Sequence, residues 1–198
     1  MYVIHATRIK NLINILKNGY INNKPIGDTM LDKQDHPEQV FTQLTFREIP
    51  MEQKLYPFFT LGGCCIVLNP DILRELPFYA TRFGRFRQRF CDGLTDPESI
   101  MVGQGHLDRV PDMTPLKKDI IRRVDAAPKW VGVDKFATSH EILFGRRIYL
   151  ERFCKCILVY RRGPETKQIR ELCKKRGIPF KILQRIKGIE QFIDLIES

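Results

Sequence analysis

No stretch of this sequence approaches the roughly 18 consecutive apolar residues of a membrane-spanning helix, and no membrane partner is expected. The opening MYVIHATRIKN lacks the basic segment followed by an apolar one that marks a secretory signal, so the protein is expected inside the cell, in cytoplasm or nucleus. The spacings C-x-x-C and C-x-x-H are missing too, which removes the usual signature of a zinc site and leaves no metal expected. The six cysteines, Cys64, Cys65, Cys91, Cys154, Cys156 and Cys173, then read as reduced core thiols, an adjacent pair and a C-x-C lying inside apparent strands. There is no internal repeat and no low-complexity linker. At 198 residues, 43% of them hydrophobic, the chain is expected to be one domain over 1–198 with one proper core.

Acidic charge is scarce in one region. From Arg146 to Lys187 there are fourteen Lys and Arg against Glu151, Glu165 and Glu171, a local balance of +11, whereas the whole chain carries +10. The basicity is therefore regional, and such a field favours a polyanionic partner, nucleic acid first. A merely soluble Lys/Arg-rich surface is the plainer alternative, since no aromatic-interleaved binding motif accompanies these charges.

Residues Tyr2 to His5 read as a first strand. Thr7 is a helix cap by type, Ile9, Leu12, Ile13 and Leu16 recur at helical spacing, and Gly19 closes the helix. This places His5 at a strand end before a helix N-terminus, where either a ligand group or a structural histidine fits. Asn22 to Glu38 is polar and turn-rich. Strands follow at Val40 to Phe46 and Gly63 to Leu68, then a short helix through Leu76. Phe78 to Phe90 alternates aromatics with Arg82, Arg85, Arg87 and Arg89, a pattern that suits stacking on rings beside phosphates or an amphipathic cover with a wet basic side. Asp92 to Asp112 reads as a long loop, and Thr114 to Val124 as a basic helix. After Arg162 a helix (Glu165 to Arg176), a strand (Pro179 to Leu183) and a terminal helix (Gly188 to Glu197) extend the same sheet.

The stretch ATSHEILFGRRIYLERFCKCILVYRR, Ala137 to Arg162, organises the rest. At period two, Ser139, Glu141 and Leu143 share one side of a strand, while His140, Ile142 and Phe144 share the other. A carboxylate within an apolar strand is either solvated at an edge or placed to act on something. Extended pieces follow at Ile148 to Leu150 and Cys154 to Tyr160.

Two segments carry a resemblance. The opening IHATRIKNLINILKNGYI, strand, H-x-T and a helix ending in glycine, resembles the first motif of ADP-ribosyltransferase folds. The closing SHEILFGRRIYLERFCKCILV resembles their last motif, a Glu on a late strand followed by further strands. The likeness is to the DarT-type nucleic-acid ADP-ribosyltransferases and, further off, to the PARP-like and RNA 2′-phosphotransferase branches; VFTQLTF and CCIVLNPDIL stand as strands between. It implies an α+β fold, an ADP-ribosyltransferase-like split β-sheet with flanking helices. The core would span 1–162, and 163–198 would form a C-terminal helix-strand-helix extension.

The resemblance implies NAD as substrate. His5 would hold a ribose hydroxyl of NAD, Ala6 would offer its backbone to the nicotinamide amide, and Thr7 would support the pocket. Glu141 would bind the nicotinamide ribose and orient or deprotonate the acceptor. The ring-stacking aromatic would be Phe41, Phe46 or Tyr79, and Arg82 or Arg85 would take the family's arginine role. Loss of nicotinamide leaves an oxocarbenium-like centre, which a nearby carboxylate stabilises in the transition state. The expected function is transfer of ADP-ribose from NAD to a nucleic acid or a protein bound to it, with Arg146, Arg147 and Lys155 as nucleic-acid contacts. Removal of a 2′-phosphate from RNA on the same scaffold, or a non-enzymatic nucleic-acid-binding module, are the alternatives.

Overall fold

Tyr2, Val3 and Ile4 are consecutive and all buried. A strand covered on both sides of its pleat belongs in the middle of a sheet, and β1 (Tyr2–Arg8) lies there. The structure is a computed structural model that describes residues 1–22, 40–48, 63–80, 101–104, 112–115, 117, 118, 121, 141–160, 163–183 and 189–198. Along the chain follow α1 (Ile9–Asn18), β2 (Tyr20–Ile21), β3 (Val40–Thr45), β4 (Gly63–Leu68), α2 (Ile72–Glu75), β5 (Pro77–Ala80) and β6 (Met101–Gln104). Then come β7 (Glu141–Phe144), β8 (Ile148–Tyr149), α3 (Leu150–Phe153), β9 (Cys154–Val159), α4 (Glu165–Lys175), β10 (Phe180–Ile182) and α5 (Ile189–Glu197).

Eight strands form one sheet in the order β10-β9-β4-β1-β3-β7-β5-β6, and β2 pairs with β8 apart from it. The ladders are antiparallel except β9 with β10, which are parallel and joined through α4. A parallel pair needs such a crossover because its strands start at the same end. The sheet is thus an α+β sheet, with α4, β10 and α5 forming the helix-strand-helix extension read from the sequence.

Each face of the sheet has its own core. On one side Leu12, Ile15 and Leu16 of α1 and Ile169 and Cys173 of α4 pack with Val3, Leu44, Ile66, Ile142 and Phe144. On the other, Phe192, Ile193 and Ile196 of α5 cover Tyr2, Ile4, Cys65, Val67 and Leu158. The α1 stripe recurs at three and four residues, as a helix with one buried face requires. Gly19 ends α1 in the left-handed region at φ 86°, its N–H donating to the Ile15 carbonyl at 2.7 Å. Arg176, just past α4, reaches the same terminus: Nε donates to the Leu16 carbonyl and Nη2 to that of Lys17 at 2.7 Å. A cation there complements the helix dipole and satisfies carbonyls that have no partner within the helix.

The C-terminal turn of α5 is fastened in a similar way. Arg47 pairs with Asp194 at 2.8 Å and Glu197 at 2.7 Å, and the Tyr2 hydroxyl donates to Glu197 at 3.2 Å. Lys181 donates to the Leu195 carbonyl at 2.6 Å.

Several expectations change. β1 runs on to Arg8, so Thr7 is inside the strand and the cap position belongs to Arg8, which makes no side-chain capping bond. The segment read as a loop contains β6, a four-residue strand with a glycine inside it, too short to show a period. Leu150 opens the short helix α3 rather than extending a strand, because Leu150 and Phe153, three residues apart, are both buried. The stretches Asn22 to Glu38 and Arg82 to Phe90, apart from Asn22, lie outside the described residues, as do His140 and Trp130.

Candidate active site

The sheet does not stay closed along β1. β1 pairs with β4 from Val3 to Arg8, but with β3 only at Tyr2↔Thr45, Val3↔Leu44 and Ile4↔Gln43. β3 meanwhile stays with β7 through Val40↔Phe144, Phe41↔Leu143, Thr42↔Ile142 and Gln43↔Glu141. Beyond Ile4 and Gln43 the two central strands part, one half of the sheet following β4 and the other following β7. The split sheet expected from the sequence is this parting.

His5 is the first residue of β1 past the last β1–β3 pair, and Ala6 and Thr7 continue that lip. Glu141 stands at the same level two strands away, in a row with Gln43 and Ile4. The structure therefore brings His5 and Glu141 to the apex of the parting. His5 lies one row beyond the row of Ile4, Gln43 and Glu141, and adjoining rows of a sheet alternate between its two faces. His5 itself is partly buried, opposite Ile66 in the β4 ladder. With the strand extended to Arg8, the helix terminus is four residues further on, so the opening of the sheet singles out His5, and the helix dipole does not.

The lips are polar by construction. In a strand paired on one side only, every second residue turns its N–H and C=O to the open side. Half the backbone of His5–Arg8 on one lip and of Val40–Thr42 on the other thus faces the parting, a donor and acceptor set that fits an amide and sugar hydroxyls. Thr42 is buried and its hydroxyl donates to the Ile142 carbonyl at 2.7 Å, which locks β3 to β7 beside the apex. Thr7 is buried and its carbonyl accepts from the Cys64 thiol at 2.9 Å. Burial pushes that thiol up to about 12, so it stays protonated and keeps the bond.

The candidate aromatics separate. Phe41 and Tyr79 flank Leu143 in one row across β3, β7 and β5, two residues along β7 from Glu141. Phe46 lies past the other end of β3, fully buried in the larger core with the Lys117 ammonium 4.9 Å from its ring centre, and is not brought to the parting. Arg82 and Arg85 fall outside the described residues.

The three basic candidates separate as well. Arg146 and Arg147 are exposed in the turn after β7, and the Arg147 guanidinium lies 4.8 Å from the Tyr20 ring centre. Lys155 is the extra residue of a bulge in β9, where Val67 faces Cys156 and Leu68 faces Cys154, and its ammonium lies 5.9 Å from the Tyr2 ring. The bulge reverses the alternation, so Cys156 enters the smaller core while Cys154 packs against the larger one. Burial raises both thiols, Cys156 to about 11. Among the described residues no group of three or more His, Cys, Asp or Glu could hold a metal ion, and no helix is long and apolar enough to cross a membrane.

No protein-family model matches the sequence, and no curated protein matches it. Solved structures do resemble the fold. DarT of Thermus sp. 2.9 in complex with NAD+ has 13% identity over 91% of this chain and 94% of that one, with a TM-score of 0.55. The same DarT in complex with ADP-ribosylated ssDNA has 13% identity over 93% of this chain and 94% of that one, TM-score 0.55. DarTG of Thermosipho africanus in complex with ADP-ribose has 13% identity over 91% of this chain but 49% of that one, TM-score 0.51. The fold of this chain is thus similar to that of DarT and is ADP-ribosyltransferase-like, a mixed α+β fold around a mostly antiparallel sheet.

Proposed function

We propose that the protein, acting as one unit over 1–198, is an NAD-dependent ADP-ribosyltransferase whose acceptor is nucleic acid, single-stranded DNA first. The observation that carries this reading is the parting of β1 from β3 at Ile4 and Gln43, with His5 on one lip and Glu141 level with its apex. The DarT structures of like fold, complexed with NAD+ and with ADP-ribosylated ssDNA, support NAD as donor and a DNA strand as acceptor. The surplus of Lys and Arg between Arg146 and Lys187 supports a polyanion over a protein acceptor.

In this reading His5 holds a ribose hydroxyl, the Ala6 backbone takes the nicotinamide amide, and Thr7 keeps that lip in place. Phe41 or Tyr79 would stack on the nicotinamide ring, and Arg82 would supply a cation to the NAD phosphates. The bond between nicotinamide nitrogen and ribose C1′ breaks, its electron pair leaving with the neutral nicotinamide. Positive charge spreads over C1′ and the ring oxygen, and the Glu141 carboxylate stabilises it. An acceptor nitrogen or oxygen then bonds to C1′ and its proton passes to Glu141.

The test is release of nicotinamide together with a mass gain of one ADP-ribose on a single-stranded DNA. Glu141→Gln, nearly unchanged in shape, is expected to lower release by roughly 10²–10⁴-fold while leaving DNA binding intact. Full release by Glu141→Gln rejects the catalytic assignment. No release by the unaltered protein, with no thermal shift at millimolar NAD, rejects the transferase and leaves a nucleic-acid-binding module.

A further inference from the structure

The small ribbon of β2 and β8 has an unequal distribution of side chains. Ile21 faces Ile148 and Tyr20 faces Tyr149. The two isoleucines are buried in the larger core, at 2% and 0% exposure. Period-two alternation turns the tyrosines the other way, and Tyr149 is 48% exposed. The rings meet edge to face with centroids 6.0 Å apart and planes at 62°, and the Arg147 guanidinium lies over Tyr20 at 4.8 Å. Arg146, also exposed, stands beside it. The ribbon is held from behind, Leu150 N–H donating to the Gly19 carbonyl at 2.9 Å. The isoleucine pair already anchors the ribbon, so the outward aromatic pair is not needed for packing.

We infer that Tyr20, Tyr149 and Arg147 form a stacking platform for an unpaired nucleobase, with Arg146 taking an adjoining phosphate. A flat π-face, a guanidinium set against a ring and a free cation beside it are the components of sequence-tolerant single-strand binding. An acidic protein segment would use the arginines but not the exposed ring. The platform also has a place in the proposed reaction, on which its role as acceptor guide rests. Arg146 and Arg147 follow Phe144 by two and three residues, and Phe144 faces Val40, three residues along β3 from the last β1–β3 pair at Gln43. The chain can span roughly 7–11 Å over that distance, so a strand stacked on Tyr149 lies within a few nucleotides of the lips.

The experiment is fluorescence anisotropy without NAD, so that its outcome is separate from that of the transferase reading. It uses a labelled single-stranded oligodeoxynucleotide, the same oligomer with its bases replaced by abasic sites, and the matching duplex. The intact single strand is expected to bind roughly five- to a hundredfold more tightly than the abasic one. Tyr149→Ala is expected to remove most of that difference and Tyr149→Phe, which keeps the ring, to retain it. Arg147→Ala is expected to weaken binding to both oligomers, with circular dichroism confirming that each variant is folded. Equal binding of intact and abasic strands, equal binding by Tyr149→Ala, or full competition by an acidic peptide of the same charge overturns the platform.

Discussion

Ile4 and Gln43 are the last residues at which β1 and β3 run side by side, and Gln43 also faces Glu141 in the next ladder. Ile4 is 1% exposed and packs in the core under α5. It therefore holds the apex from the side opposite α1. Ile4→Ala is expected to cost about 2–5 kcal/mol, and Ile4→Val about 0.5–1.5, read by urea unfolding. Equal midpoints for the two variants would show that the apex is not packed as described.

Gly19 and Gly63 both have positive φ, 86° and 80°, yet differ in surroundings. A methyl group at Gly19 would lie 2.5 Å from Nη1 of Arg176, whereas one at Gly63 would meet nothing within 4 Å. Gly63→Ala is expected to cost only the backbone strain of about 1–2 kcal/mol. Gly19→Ala adds displacement of the Arg176 clamp from the α1 terminus and is expected to lower the thermal midpoint further, with Arg176→Ala abolishing the excess.

The fastening of α5 depends on protonation. The Arg47 hydrogen bond holds the Glu197 carboxyl below its ordinary value of 4.5. A carboxyl depressed in the folded state stabilises fully above the unfolded value and loses that contribution as pH falls through the folded one. Tyr2 is displaced upward, by burial first and by Glu197 next, so its contribution is complete below the ordinary value of 10 and fades above it. Thermal midpoints followed from neutral pH to below 4.5 should fall less for Glu197→Gln than for the unaltered protein. Parallel curves would mean that this carboxyl is not held.

Arg146 and Arg147 stand in the turn after β7, whereas Lys155 sits in the β9 bulge over Tyr2. If the phosphate contacts run along the parting, Arg146→Glu and Arg147→Glu should each reduce the slope of log affinity against log salt by about 1. Lys155→Glu should leave that slope unchanged. An equal fall for all three would point to one diffuse basic surface.

Much of this was legible in the residues, and for local reasons. Gly63–Leu68 and Val40–Thr45 have strong β-formers bounded by turn residues, and α1 has an uninterrupted helical stripe closed by Gly19. Glu141 and His5 could be singled out because each is a polar group in an apolar strand. Their relation could not be read, since it depends on where one ladder stops, a property of two strands some forty residues apart. Tyr20 and Tyr149 carry no signal in the sequence for a similar reason: a two-residue ribbon has no period, and only the register of β2 against β8 shows which residues turn outward. Lys155 resembles the arginines in charge alone, and charge carries no information about a bulge.

The hydroxyl of Tyr2 is bonded to Glu197, 195 residues later. A strand in the middle of the sheet is thus made well before α5, which covers one of its two apolar sides, while α1, directly after it, covers the other. Until α5 has left the ribosome, Ile4, Val67 and Leu158 lack its cover, so a growing chain carries an exposed apolar sheet face until Ile196 has emerged. Chaperone dependence and loss of product to proteolysis are expected to rise sharply in any messenger that ends before the codon for Phe192.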